Sequence, residues 1–423
     1  MTRIGEAVAP RRLGRSFRWL LASSWTGNLG DGISLAAGPL LVASETHDPL
    51  LVALAAVLQR LPWLLFGLLA GVVADRVDRR RITMAAHLSR ASIAAMISGL
   101  IFTGRVNITV ILVALFALGT SEVLADTTAA TLLPMIVERP ELGLGNARLM
   151  AGIVTVNQLA GPPIGAALFA LGRATPFLAE TTCMLSAAAL ASRLALASHG
   201  VSERHAVRHE IAEGFHWLWR HAAVRTLTLT IVAFNVTFGA AWSVLVLYAL
   251  ERLHAGKVGF GLLTTATAIG GLVGAAIYQR LAARVRLGTI MRVGLIIETL
   301  THLSLALTRS TAVAMAIMFV FGIHAQVWGV TATSVRQRAV PTRLHGRVSS
   351  VYLIAVQGGI VAGGALGGFI AKQFGVTGPF WFAFIGSGVF LALIWRQLSN
   401  VAHANDPEGG QLQPASPSTG IPS

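Results

Sequence analysis

Apolar runs of bilayer length recur along this chain. A helix needs about 20 mainly apolar residues to cross a bilayer. Twelve stretches of the 423 residues qualify: 18–43, 50–74, 82–103, 107–132, 143–170, 174–197, 223–250, 257–280, 287–308, 311–334, 346–371 and 377–398. Charged residues are 12% of the chain, against about 25% in a typical soluble domain. A soluble fold of this size would need far more polar surface, so an all-α integral membrane protein with twelve transmembrane helices is predicted.

The formal net charge is +15, and 31 of the 33 basic residues are Arg. In a soluble protein such a balance suggests nucleic acid. Here the arginines sit between apolar runs, and membrane topology explains them better. With the N-terminus in the cytoplasm, 25 Arg and Lys fall in cytoplasmic segments and six on the other side, with Arg60 and Arg90 inside helices. The positive-inside rule then puts both termini in the cytoplasm of a cell-membrane protein. The first apolar run exceeds signal-peptide length and lacks a clear cleavage pattern, so a retained first helix is expected. Cys183 is the one cysteine, which excludes a disulfide or multi-cysteine metal site within the chain.

The chain also repeats itself. Residues 132–177 parallel 335–380, with Leu142, Gly161 and Gly165 matching Leu344, Gly363 and Gly367. The stretch around Gly67 and Gly71 is echoed around Gly270 and Gly274. A near-constant offset in two separate blocks predicts two pseudo-symmetric six-helix bundles, the arrangement of a rocker-type transporter. The expected organisation is a cytoplasmic arm 1–17, a first bundle 18–197, a cytoplasmic linker 198–222, a second bundle 223–398 and a disordered tail 399–423. In the linker, an amphipathic helix is expected on the inner membrane surface, with Phe215, Trp217 and Leu218 facing lipid.

Residues 71–81 read GVVADRVDRRR. Gly71, Asp75, Arg76, Arg79 and Arg80 resemble the loop signature of the major facilitator superfamily between its second and third helices. Asp78 stands where members usually have Gly, and the second-half copy keeps Gly274 and Arg284 but has Tyr278 in place of the acid. NLGDGI (28–33), LLPMIVERPELGLGNARL (132–149) and VPTRLHGRVSSVY (340–352) resemble the drug-proton antiporter branch that includes enterobactin and macrolide exporters. The resemblance implies that Asp75 braces the second helix against the eleventh, whose start near Gly346 and Arg347 offers free N–H groups and a cation. Arg79 and Arg80 would hold the loop through ion pairs or lipid phosphates, or serve topology alone. Gly67 and Gly71, four apart on one face, would permit close helix approach.

Charges inside apolar runs are costly unless they face a partner or a cavity. Asp31, Arg60, Arg90, Glu122, Asp126, Glu180 and Glu298 are of this kind. Glu122 and Asp126 lie one turn apart on one face. Two such carboxylates resist ionising together, so one can take up and release a proton. Asp31 could join them, with Arg60 as the natural counter-charge and Arg90 as a second, or all could form a structural ion-pair network. In the second half, Glu298 and His302 could share a face; histidine titrates in the useful range, and a helix-packing role is the alternative for both His302 and His324. Asn157, Gln158, Asn235, Gln326 and Gln357, with Trp25, Trp63, Phe234, Phe238, Trp242 and Trp328, could line a largely apolar cavity. Trp381 reads as an interfacial anchor. The nucleotide-loop pattern GxxxxGK[ST] is absent.

The expected function is a proton-coupled exporter of drugs or other small amphipathic molecules, working as a monomer by alternating access. No covalent chemistry, cofactor, metal or nucleic acid is expected; a proton gradient would drive transport, with membrane lipids around the protein. A dedicated exporter of a siderophore or other metabolite is the alternative from the same fold. A non-transporting receptor or scaffold is the alternative from another class.

Overall fold

The computed structural model describes residues 10–195, 207–341 and 344–398, with the side chains of 11, 68, 71–76, 130 and 207–210 excepted. Thirteen helices carry the described fold: α1 Gly14–Glu45, α2 Pro49–Arg76, α3 Arg79–Phe102 and α4 Ile108–Ile136. α5 runs continuously through Leu142–Gly152, a π-helical stretch Ile153–Ala160 and Gly161–Leu171. α6 is Thr175–Ala191, α7 is Val207–Arg220 and α8 is Ala222–Trp242. α9 Gly256–Arg284, α10 Leu287–Leu307, α11 Thr311–Ala339, α12 His345–Phe374 and α13 Gly378–Ile394 complete the set. The protein is an all-α, mostly membrane-spanning bundle.

Nine of these helices, among the described residues, are long and apolar enough to cross a membrane. The predicted spans outside that group have physical reasons to be. α1 is diluted by Ser23, Ser24, Asn28, Asp31 and Ser34, while α6 and α13 are only 17 residues each. α1 also begins at Gly14, so the last residues of the expected arm are helical and Phe17 is fully buried.

Local chemistry sets the helix starts. Asp78 caps α3: its carboxylate accepts from the backbone N–H of Arg80 at 2.9 Å and of Arg81 at 3.4 Å, satisfying N–H groups that lack intrahelical partners. An acid in place of the family's usual Gly is thereby accounted for. Asn107 caps α4 through the Val110 N–H at 3.0 Å.

The repeated glycines mark helix crossings. A side chain at Gly161 or Gly165 of α5 would run into the backbone of Gly32 and Ile33 of α1. One at Gly363 or Gly367 of α12 would likewise run into Val236 and Ala240 of α8. Without a hydrophobic force between helices in lipid, such close approach supplies the packing attraction. Gly67 departs from expectation: a side chain there would meet only Trp63 of its own helix.

Contacts of α2 with α12 and of α5 with α9 join helices α1–α6 to helices α8–α13. The two ends of the bundle differ. Where α1 ends, one continuous apolar core takes in Leu40, Leu41, Val52, Ile111, Phe169, Phe177, Val246, Leu305, Met318 and Phe380, drawn from both sets of helices. Where α1 begins, the core is divided. One cluster around Phe17, Leu20 and Leu132 belongs to α1–α6. Two others, around Met291 and Leu295 and around Val340 and Val348, belong to α8–α13 and α7. The first end is therefore sealed and the second open. Ion pairs reinforce the seal: Lys372 to Asp48 at 2.8 Å, His47 to Glu251 at 3.7 Å, and Arg173 to Glu45 in direct contact.

α7 docks on the start of α12. Leu218 is buried and Trp217 packs against the cluster of Val340, Leu344 and Val348, so neither is the lipid-facing residue expected. Phe215 and Trp219 are the exposed pair, stacked with ring centroids 5.7 Å apart.

Candidate functional site: a central cavity with one charged wall

A cavity of about 940 Å³ opens from the unsealed end and reaches the middle of the bundle. Its two walls are chemically unlike. From α1–α6 come Asp31, Arg60, Arg90, Glu122, Asp126 and Glu180. From α8–α11 come only uncharged residues, among them Phe238, Trp242, Thr264, Thr267, Met318 and Gln326.

Within the charged wall some groups are already satisfied. Arg90 of α3 is buried and forms an ion pair with Asp31 of α1. The Ser34 hydroxyl donates to Oε2 of the buried Glu180, whose Oε1 has no hydrogen-bond partner among the described residues. The Arg90 charge also acts on Asp126 and Glu180, and Glu122 acts on both of the same carboxyls. Asp126 itself is open to the cavity. The expected pairing of Asp31 with Arg60 is not the one formed. Arg60 lies exposed in the cavity, with no ion pair among the described residues.

The second half's acid is sequestered. His324 Nε2 and Glu298 Oε2 are 3.3 Å apart between α11 and α10, both buried, and neither lines the cavity. Glu298 therefore meets His324 rather than His302, although spacing puts His302 on its face. His302 is wholly buried, with its ring 6.0 Å from Trp242 and no partner for either nitrogen among the described residues.

Of the expected lining residues, Asn157, Gln158, Phe238, Trp242, Gln326 and Trp63 do face the cavity. Trp25, Phe234, Asn235 and Gln357 do not. Trp25 Nε1 donates to the Arg148 carbonyl at 3.1 Å, tying α1 to α5. Phe234 is packed against Phe390, 6.2 Å between centroids. Asn235 donates to Ile231 of its own helix at 2.8 Å, and Gln357 is buried in α12. Trp328 likewise belongs to the core around Met291. Sequence reasoning passed over Gln59 and Ser34, both lining residues. A neutral polar residue beside Arg60 in an otherwise apolar run was the available signal for Gln59.

At the loop after α2, Arg79 Nη1 donates to Met135 Sδ at 2.9 Å and Arg80 Nη1 to the Leu194 carbonyl at 3.2 Å. The arginines thus bind the loop to neighbouring protein. Arg347 of α12 pairs with Glu213 of α7. The expected brace from Asp75, with Gly71 and Arg76 beside it, lies outside the described side chains.

The family described as transmembrane secretion effector matches residues 6–409. The multidrug efflux pump Tap of Mycolicibacterium fortuitum is 30% identical over 354 residues, covering 78% of this chain and 83% of that protein. Tap of Mycobacterium tuberculosis is 29% identical over 336 residues, covering 76% and 79%. Among solved structures, the nucleoside transporter NupG superposes with a TM-score of 0.69 at 10% identity, over 92% of this chain and 99% of that one. A bacterial homologue of the iron transporter ferroportin in an inward-facing state gives 0.70 at 16% identity, over 89% and 98%. At such identities these structures speak to the fold alone.

Proposed function

We propose a mechanism for a chain that belongs to the transmembrane secretion effector family of the major facilitator superfamily, and so is a secondary transporter: proton-coupled export of drugs or similar small amphiphiles. The observation that carries this reading is the placement of four acids on one wall of a cavity closed at one end. Asp31, Glu122, Asp126 and Glu180 share that space with Arg60 and Arg90. The relatives' description as multidrug efflux pumps favours varied cargo over one dedicated metabolite.

The proposed architecture is twelve spans in two six-helix halves, 18–197 and 223–398, with α1, α6 and α13 crossing alongside the nine longer helices. Both termini and the 198–222 linker are cytoplasmic in this reading, supported by the 25-to-6 division of basic residues. The cavity then opens inward, and cargo enters from the cytoplasm or the inner leaflet. When the seal opens outward, a proton from outside neutralises Asp31. Arg90 loses its partner and turns toward Asp126 and Glu180, whose charges it already feels. Cargo held by Glu122 and Asp126 is displaced, and the protonated carrier resets. Asp75 favours one conformer at the cytoplasmic end and does not contact cargo.

The test is pH-gradient-driven uptake of a compound panel into inverted vesicles, run beside counter-exchange of labelled substrate without a gradient. Asp31→Asn is expected to abolish the driven flux and keep exchange. Driven flux at the wild-type rate in Asp31→Asn, Asp126→Asn and Glu122→Gln alike would overturn the coupling scheme.

A further inference from the structure

Resting on the reading that this cavity is the transport site, we infer that its preferred cargo is a zwitterionic amphiphile: an apolar, ring-bearing body with a basic amine and an acidic group such as a carboxylate. The inference comes from which charges the protein leaves for a ligand. Asp31 and Arg90 occupy each other, and Glu180 is held by Ser34. Arg60 of α2 and the acids Glu122 and Asp126 of α4 form no ion pair among the described residues, yet all three face the cavity. The groups left over are of both signs.

The two signs come from two helices, Arg60 from α2 and the acids from α4. Next to Arg60 in sequence, the amide nitrogen of Gln59 is buried with no hydrogen-bond partner among the described residues. A guanidinium and an amide N–H are donors, and together they match a carboxylate. Ionised Glu122 and Asp126 are acceptors only and match an ammonium. Gln59 and Arg60 also line a second hollow of about 210 Å³ between α2, α8 and α12, lined by Val57, Leu245 and Ile360 and sharing Phe238 and Trp242 with the main cavity. Phe238 and Trp242 stack with centroids 4.4 Å apart and present a flat apolar surface at that junction. A ring system laid there would reach donors at the hollow and acceptors on α4.

Selectivity follows from what each wrong ligand leaves unmet. A simple cation would shut Arg60 and Gln59 away from water with nothing to bind. A simple anion would do the same to Glu122 and Asp126. Desolvated groups without partners count against a ligand as strongly as good contacts count for it.

The experiment uses the purified full chain in lipid nanodiscs and three fluorescent probes built on one tricyclic aromatic body, bearing a tertiary amine, a carboxylate, or both. The probe with both is expected to bind about tenfold tighter than the amine, as one added charge-assisted contact implies. Arg60→Gln is expected to weaken it by about the same factor while the amine probe binds as well or better, and Arg60→Lys to retain part of the preference. Glu122→Gln with Asp126→Asn is expected to weaken both amine-bearing probes. Equal binding of the amine and zwitterionic probes, failure of all three to bind, or an equal loss for all three in Arg60→Gln with no recovery in Arg60→Lys would overturn the inference. Vesicle flux separates it from the export reading. Zwitterion preference without pH-driven movement supports this inference and sinks export. Driven movement of the amine probe with no zwitterion preference does the reverse.

Discussion

The wall of the cavity built by α1–α6 and the wall built by α8–α11 meet the same lumen with opposite habits. Both halves of the molecule contain a buried acid with a basic partner. In the first half the pair, Asp31 and Arg90, stands at the cavity surface among further acids. In the second, Glu298 and His324 are withdrawn behind rings and lie out of the cavity. A charge pair inside a membrane bundle can thus serve packing or face a ligand, and exposure to the lumen separates the two. The comparison suggests a division of labour, with ions handled on one side and shape on the other.

The widest break in that comparison should come from flux. Asp31→Asn removes the proposed coupling acid and is expected to abolish gradient-driven flux. Glu298→Gln is expected to stay within about threefold, since the lost contact is one hydrogen bond. Equal losses in proteoliposome flux would erase the distinction between the walls.

Stability should separate them next. Arg90→Ala strands Asp31 and also withdraws charge from Asp126 and Glu180, so a loss of about 3–5 kcal/mol is expected in thermal or denaturant unfolding in detergent. His324→Ala leaves Glu298 without its hydrogen-bond partner among the described residues and is expected to cost about 1–3 kcal/mol. The double variant Asp31→Asn, Arg90→Gln should recover part of the first loss, because no lone charge remains.

The smallest effect belongs to the sealed end, where the two sets of helices meet through Asp48 and Lys372. The hydrogen bond from Lys372, and then one from the Leu50 N–H, hold the Asp48 carboxyl below its ordinary 3.8. A carboxyl depressed in the sealed state contributes at pH values above its ordinary pKa and loses that contribution as pH falls through the depressed one. The pair is therefore at full strength from pH 5 to 8, roughly, and lost only in strong acid. Being largely exposed, it is worth less than about 1 kcal/mol. Lys372→Gln should raise labelling of a cysteine placed under the seal by at most a few fold, roughly, with a smaller effect at high salt. Labelling unchanged in Lys372→Gln would assign the seal to the apolar core alone.

Much of this was readable from the chain. Apolar runs located the helices, and the duplicated glycines Gly161, Gly165, Gly270, Gly274, Gly363 and Gly367, though not Gly67, fell where a Cβ would strike the backbone of a neighbouring helix. The acids facing the lumen were visible as charges within those runs. Partners across helices were not. Periodicity places a residue on a face but does not say which neighbour that face meets, so Arg60 was read as the natural partner of Asp31, and Arg90 is the one that pairs with it. His302 was placed on the face of Glu298 for the same reason: helical spacing is local, whereas His324 reaches α10 beside Gly294, where even a methyl group would crowd its ring at 2.8 Å. Trp25, Phe234, Asn235 and Gln357 carry cavity-like side chains but sit on faces that pack, and composition does not distinguish the two. Gln59 escaped notice because it is neutral, and an uncharged amide in an apolar run raises no alarm until its partners are sought.

The π-helical stretch Ile153–Ala160 in α5 holds Asn157 and Gln158 at the cavity and lies against Gly32 of α1. In crystallographic language it is a dislocation: the turn carries a residue more than the helix around it requires. Dislocations let one part of a lattice slip past another without breaking every bond at once. Moving this stretch along the helix would turn the residues it passes by about 100° relative to both ends of α5. Both ends would keep their hydrogen bonds, and the crossing at Gly165 could stay where it is. Asn157 and Gln158 would trade places with their neighbours at the lumen, so one rod could show cargo two different surfaces in the two halves of a transport cycle.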